Sequence, residues 1–120
     1  MLLIDEVTLI DSVAHGSLKI HGDEFFLQGH FPDNPVVPGV ILCEILGQSA
    51  CVLIPDLLEG KTPYFVGIKE AKFRHPVKPG DTFTTEVSID QIRRQFVYVK
   101  ATGYVDGKKC VEASLSFTAL

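Results

Sequence analysis

Residues 39–54, GVILCEILGQSACVLI, constrain this chain more than any other stretch. The run is too long for one strand and is apolar on nearly every face, so it reads as one helix buried all round. Pro38 suits its start, because the N–H that proline lacks has no partner in a first helical turn anyway. Pro55 and Gly60 mark its end and the loop that follows. Ahead of it, Gly29 to Gly39 contains Pro32, Pro35 and Pro38. That is too much proline for a helix interior or a central strand, so the segment reads as a stiff loop.

A helix of this kind needs cover, and both flanks supply strands. Residues 7–13 (VTLIDSV) and 17–20 (SLKI) read as strands joined by a turn at His15-Gly16, and 24–27 (EFFL) as a short apolar run. After the helix, 64–73 (YFVGIKEAKF) reads as a strand pair or one bent strand, and 75–81 as a turn region. Residues 82–90, 95–105 and 109–119 read as strands, with Asp106-Gly107 as a strong hairpin signal. Strands, one central helix, then an antiparallel meander make an α+β layout.

At 120 residues the chain reads as a single domain over 1–120, needing no disulfide or metal to fold. With 46% hydrophobic and 22% charged residues, a disordered chain, a coiled coil and a collagen-like fibre are excluded. No uninterrupted apolar run reaches about 18 residues, so no membrane span is expected. Met1-Leu2-Leu3-Ile4 meets Asp5 and Glu6 at once, unlike a signal peptide. Cys43, Cys51 and Cys110 are odd in number and form no CxxC pair, which points to a reducing cytoplasm.

The net charge of −4 argues against nucleic acid as a partner. The charge is unevenly spread: residues 1–60 hold nine acids against Lys19 alone, whereas 61–120 hold ten bases and six acids. This is either ordinary surface chemistry or a basic region that steers an acidic partner.

Three features carry chemistry. Glu44 sits among Leu42, Cys43, Ile45 and Leu46, with Gln48 four positions on and on the same face. Such a polar stripe either reaches solvent or a partner helix, or holds a carboxyl in an apolar pocket that favours its protonated, proton-donating form. His30 opens the stiff loop, where the prolines fix its direction, as general-base catalysis requires. Gly39 stands at the helix N-terminus with no side chain to block its N–H, where the helix dipole is positive. A base, a proton donor and an oxyanion-binding N–H are what abstraction of a proton beside a carbonyl with loss of a β-leaving group needs.

These residues carry a resemblance. GHFPDNPVVPGVILCEILGQSA resembles the active-site segment of the (3R)-hydroxyacyl-acyl carrier protein dehydratases of bacterial type II fatty acid synthesis, FabZ type. The decanoyl dehydratase-isomerase type has aspartate where this chain has Glu44. The similarity continues in FFLQGHFP, PYFVGIKEAKFRHPVKPGD and YVDGKKCVEASLSF, so it covers almost the whole chain. It implies a hot-dog fold, an antiparallel sheet wrapped around one central helix. It also implies a homodimer in which His30 of one subunit faces Glu44 of the other, with many members assembling into hexamers. By resemblance, His30 and Glu44 are the catalytic residues, and Gly39, Phe31 and Gln48 form the substrate site, Gln48 supporting the carboxylate. The substrate arrives on acyl carrier protein and no cofactor is required. Lys69, Lys72, Arg74, Lys78, Arg93 and Arg94 offer the carrier a basic docking surface. Many members carry a further segment ahead of the stretch matching residues 2–7. Their helix often has small residues where Ile45 and Leu46 stand, which is expected to reshape the acyl tunnel.

Rival readings are weaker. A hot-dog thioesterase would activate water against the same thioester, but such enzymes do not generally carry Gly-His-Phe-Pro. A non-catalytic acyl-chain-binding subunit of a larger synthase would lack His30 or Glu44. His15, His21 and His75 have no metal-ligand spacing with the cysteines, so no metal is expected. Ser49 lies in GQSAC, not in a nucleophile elbow. Cys43 is expected to point to another helix face than Glu44. Phe25, Phe26, Phe65, Phe73 and Phe96 are expected in the core, some lining an acyl tunnel.

Overall fold

Alternation decides the sheet. Along the second half, Phe83, Thr85 and Val87, then Val97, Val99 and Ala101, then Val111, Ala113, Leu115 and Phe117 are buried, with more exposed residues between them. A period of two places each set on one face of a pleated sheet. The computed structural model describes residues 4–21, 37–54, 60–61 and 63–119, with backbone alone at 63–65 and 119. The strands are β1 (Glu6–Ile10), β2 (Val13–Lys19), β3 (Pro63–Phe73), β4 (Thr82–Arg93), β5 (Phe96–Val105) and β6 (Lys108–Ala119). All described pairings are antiparallel, in the order β1-β2-β4-β5-β6-β3, which leaves β1 and β3 at the edges. The helix α1 (Gly39–Ala50) packs on the inner face against β2, β4, β5 and β6. This is the expected α+β, hot-dog arrangement.

Several details differ from the expectations. The first hairpin turns at Asp11-Ser12, and β2 runs straight through His15-Gly16. A two-residue turn that matches strand twist needs positive φ at both positions. Asp11 (φ 49°) and Ser12 (φ 67°) adopt it without glycine, so the glycine pointed to the wrong pair. Gly16 instead serves packing: a Cβ there would lie 2.5 Å from Thr85 Oγ1 and 2.7 Å from Ser49 Oγ. Asp106 (φ 52°) and Gly107 (φ 77°) do form the expected turn.

The helix stops at Ala50 and tightens into a 3-10 turn over Cys51–Leu53, a common way for a helix to end. Nor is it buried all round. Leu42, Cys43, Ile45, Leu46, Gly47, Ser49 and Ala50 are buried, but Val40 is 70% exposed and Ile41, Glu44 and Gln48 are half-buried. The sheet covers one side only. β3 is one bent strand, with register shifts at Val66 and Lys69. The short apolar run 24–27 and the stiff loop up to residue 36 lie outside the described residues. Among the described residues, no helix is long and apolar enough to cross a membrane.

Candidate active site

The half-buried stripe of α1 is where polar chemistry collects. Glu44 and Gln48 lie one turn apart, and Gln48 Nε2 donates to Glu44 Oε1 at 3.4 Å. Gln48 Oε1 in turn accepts from the backbone N–H of Ile4 at 3.3 Å. Glu44 faces a hollow of about 380 Å³ between α1 and β3, whose other walls are Val40, Cys43, Val66, Gly67 and Ile68. Among the described residues, Glu44 is the only carboxyl that lines this otherwise apolar hollow, and the bulged part of β3 forms the opposite wall. Bulges beside active sites commonly re-aim side chains in this way.

Cys43, next to Glu44 in the helix, faces the core as expected and also borders this hollow. Burial pushes its thiol above the ordinary value, which disfavours the nucleophilic thiolate. The Cys51 thiol is raised too, by burial first and then by the negative charge of Glu44. Ile45 and Leu46, expected to reshape an acyl tunnel, are fully buried in the core and do not line the hollow.

Gly39 opens α1 directly behind Pro38. The ring of Phe73, at the end of β3, lies over it: a Cβ on Gly39 would sit 2.9 Å from Phe73 Cε1 and Cζ. Phe73 is 54% exposed and so is not the core residue expected, whereas Phe83 and Phe117 are core. Beside it, Val37, Gly39, Leu42, Phe73, Arg74, His75 and Pro76 form a second hollow of about 480 Å³.

Glu44, Gln48 and Gly39 are thus on one helix, with Glu44 and Gln48 in contact. His30 and Phe31 lie outside the described residues, as do Phe25 and Phe26. Among the described residues, no group of three potential ligands could hold a metal. Ser49 is a core residue: its hydroxyl bonds Ile45 O at 3.0 Å and meets Thr85 Oγ1 at 2.8 Å. The six expected docking cations do not form one patch. Cross-strand register puts Arg93 and Arg94 at the sheet end where β5 begins, and Arg74 at the opposite end, against Cys110. Arg74 is also paired with Glu112 at 2.7 Å, which Lys109 shares at 3.0 Å.

Sequence reasoning missed the β3 wall, the Phe73 ring and Ile4. Their roles arise from long-range pairing or from a backbone N–H, and neither leaves a local signal.

Comparison with known proteins shows the family of the chain. A protein of Ligilactobacillus salivarius, named 3-hydroxyacyl-[acyl-carrier-protein] dehydratase FabZ, is 46% identical over 98% of this chain and 86% of its own length. The protein of the same name from Fusobacterium nucleatum is 42% identical over 97% of this chain and 84% of its own. Among solved structures, the dehydratase heterocomplex ApeI:P from Xenorhabdus doucetiae superposes with a TM-score of 0.72 at 20% identity, covering 98% of both chains, which shows the shared fold. The family model of the FabA-like domain matches residues 1–114. The chain therefore belongs to the FabA-like family and, within it, to the FabZ type.

Proposed function

We propose that the chain is a 3-hydroxyacyl-[acyl-carrier-protein] dehydratase, removing water from a (3R)-3-hydroxyacyl thioester to give the trans-2-enoyl thioester. The observation that carries this reading is Glu44: a carboxyl, held by Gln48, facing a hollow of about 380 Å³ whose other described walls are mostly apolar. In the reaction His30 takes the C2 proton, and the electron pair of that C–H bond becomes the second C2–C3 bond as the C3–O bond breaks. Glu44 gives its proton to the departing hydroxyl, which leaves as water. Proton exchange with water then resets both groups. Gly39 N–H binds the thioester oxygen as charge builds on it, aided by the helix dipole. Phe31 contributes to the substrate site. The thioester is the electron sink, so the chemistry calls for no cofactor.

The protein works as a homodimer in the cytoplasm, with 1–120 as one domain. Two features support the dimer. β3 is an edge strand that exposes Val66, Ile68 and Phe73, and bare apolar edges invite pairing. The half-exposed stripe of α1 with Val40 gives a second subunit something to cover. The acyl carrier protein docks near Lys69, Lys72 and Arg74, on or just after the same edge strand.

The test follows crotonyl and 3-hydroxybutyryl thioesters by enoyl absorbance, with His30→Ala and Glu44→Gln proteins assayed alone and mixed. Each alone is expected to be inactive. Mixed dimers hold one site with both residues intact, so part of the activity returns. No recovery, with heterodimers seen by mass spectrometry, means that each site is built within one chain. Activity in neither the wild type nor the mixture removes the dehydratase reading.

A further inference from the structure

The segment just ahead of β1 reaches the carboxylate through a single side chain. Ile4 is 7% exposed, and its Cδ1 would lie 2.9 Å from a Cβ on Gly16, so it packs on the bare backbone of β2. The next residue is tied twice: Asp5 N–H donates to Ser17 O at 2.9 Å, and Asp5 Oδ2 accepts from Lys19 N–H at 3.0 Å. Ile4 is therefore held from both sides. Its backbone N–H points at Gln48 Oε1, 3.3 Å away.

That contact favours one orientation of the Gln48 amide. An amide oxygen and nitrogen are nearly alike in shape, so a glutamine is free to flip unless its partners are one-sided. A backbone N–H is a donor only, so it selects the oxygen. The NH2 group is then turned towards Glu44 and donates to Oε1 at 3.4 Å. The hydroxyl oxygen of a carboxylic acid is a weaker acceptor than its carbonyl oxygen, so a bond donated to Oε1 favours Oε1 as the carbonyl oxygen and Oε2 as the one that carries the acid proton.

We propose that the Ile4 backbone N–H is a positioning element of the active site: it locks Gln48 so that its amide holds Glu44 Oε1, leaving Oε2 as the oxygen that transfers the proton. This rests on the reading of Glu44 as the proton donor. Ile4 does not touch substrate and acts only through Gln48. Its side chain packs the core, while its N–H serves the chemistry, so the two roles separate experimentally.

The experiment compares Ile4→Val, Ile4→Pro, Gln48→Met, the Ile4→Pro/Gln48→Met double variant and Glu44→Gln in the thioester assay. Ile4→Val keeps the N–H and is expected to hold kcat within about twofold of wild type. Ile4→Pro deletes the N–H, and Gln48→Met keeps the volume but removes the amide. Each is expected to lower kcat on the order of tenfold to a hundredfold, with KM within about twofold, as for a misplaced catalytic group. Because both act along one path, the double variant is expected to lose no more than the worse single one. Wild-type kcat in folded Ile4→Pro overturns the proposal. If Ile4→Pro does not fold, Gln48→Met decides alone, since wild-type kcat there leaves Ile4 nothing to act through. Full activity in Glu44→Gln overturns the reading of Glu44 itself, a result distinct from failure of the positioning role.

Discussion

On the inner face of β4, β5 and β6, Phe83, Val87, Val97, Val99, Val111 and Leu115 are all at most 2% exposed. On the outward stripe of α1, Val40 is 70% exposed, and Glu44 and Gln48 are half-buried. Both regions touch the same helix. The inner face is held by burial, which has no direction and is spread over many side chains at roughly 1.5–3 kcal/mol for each large one. Along the stripe, two long hydrogen bonds run in series, from Ile4 to Gln48 to Glu44. Such bonds contribute little net stability, about 0.5–1.5 kcal/mol apiece, but they fix direction. One region makes the fold and the other aims it, so damage to each shows in a different measurement.

The largest effect expected is in activity, at the stripe. Glu44→Gln is nearly isosteric and keeps a polar group beside Gln48. It is expected to lower kcat by a factor on the order of 10²–10⁴. Its urea-unfolding midpoint is expected to stay close to wild type. A midpoint that falls together with activity makes Glu44 part of the scaffold and breaks the contrast.

Phe83→Ala is the converse. Its side chain is fully buried against the bare backbone of Gly103, so truncation leaves a cavity and costs about 3–5 kcal/mol. Urea unfolding at neutral pH measures it. The molecules that remain folded are expected to turn over near the wild-type rate. A stability loss below about 1 kcal/mol, the usual cost of one hydrogen bond, means that the inner face repacks freely.

How much was legible in advance follows the same division. The inner face was written into the sequence as alternation, because each strand carries its own period-two record of which side is buried. Asp106-Gly107 announced its hairpin for a similarly local reason. The i, i+4 pairing of Glu44 with Gln48 was also readable, since helical geometry alone brings the two together. By contrast, the first turn was misplaced because Asp11 and Ser12 accept positive φ without glycine. The polar part of the stripe reads as able to reach solvent, but its apolar members, Val40 and Ile41, read as buried, because composition does not tell a face covered by its own sheet from one left half open. An apolar pocket around Glu44 is one of the two readings the sequence allows, but its far wall, Val66 to Ile68, was invisible because it is more than twenty residues away and arrives by pairing of β3 with β6.

Thr85→Val probes the middle ground, a polar contact inside the apolar region. Ser49 has one hydroxyl proton, and Ile45 O accepts it. Thr85 is therefore the donor in the 2.8 Å contact between the two hydroxyls. Valine keeps the shape, deletes that donor and leaves no buried hydrogen without a partner, so the expected cost is about 1 kcal/mol. Chemical unfolding reads it against wild type. A loss of about 3 kcal/mol or more, with activity falling in step, places this pair with the aiming contacts and not with the packing.

The smallest effect is expected on the outer face, where polar contacts neither pack nor aim. Glu112 takes hydrogen bonds from Arg74 and, next, Lys109, and its carboxyl is lowered from 4.5 to about 2. A carboxyl lowered on folding adds stability above its unfolded value near 4.5, and that contribution is lost as the pH falls towards 2. The group is exposed, however, and water and salt screen such pairs heavily. Stability at pH 7 is therefore expected to change little in Arg74→Ala. The titration itself is the sensitive readout. Carbon-13 NMR of Glu112 is expected to show a midpoint near 2 in wild type, moving up towards the ordinary carboxylate range in Arg74→Ala. Raising the salt concentration is expected to move it the same way. A wild-type midpoint near 4.5, unmoved by either change, means that the Arg74–Glu112 pair does not persist in solution, and the outer face then contributes solubility alone.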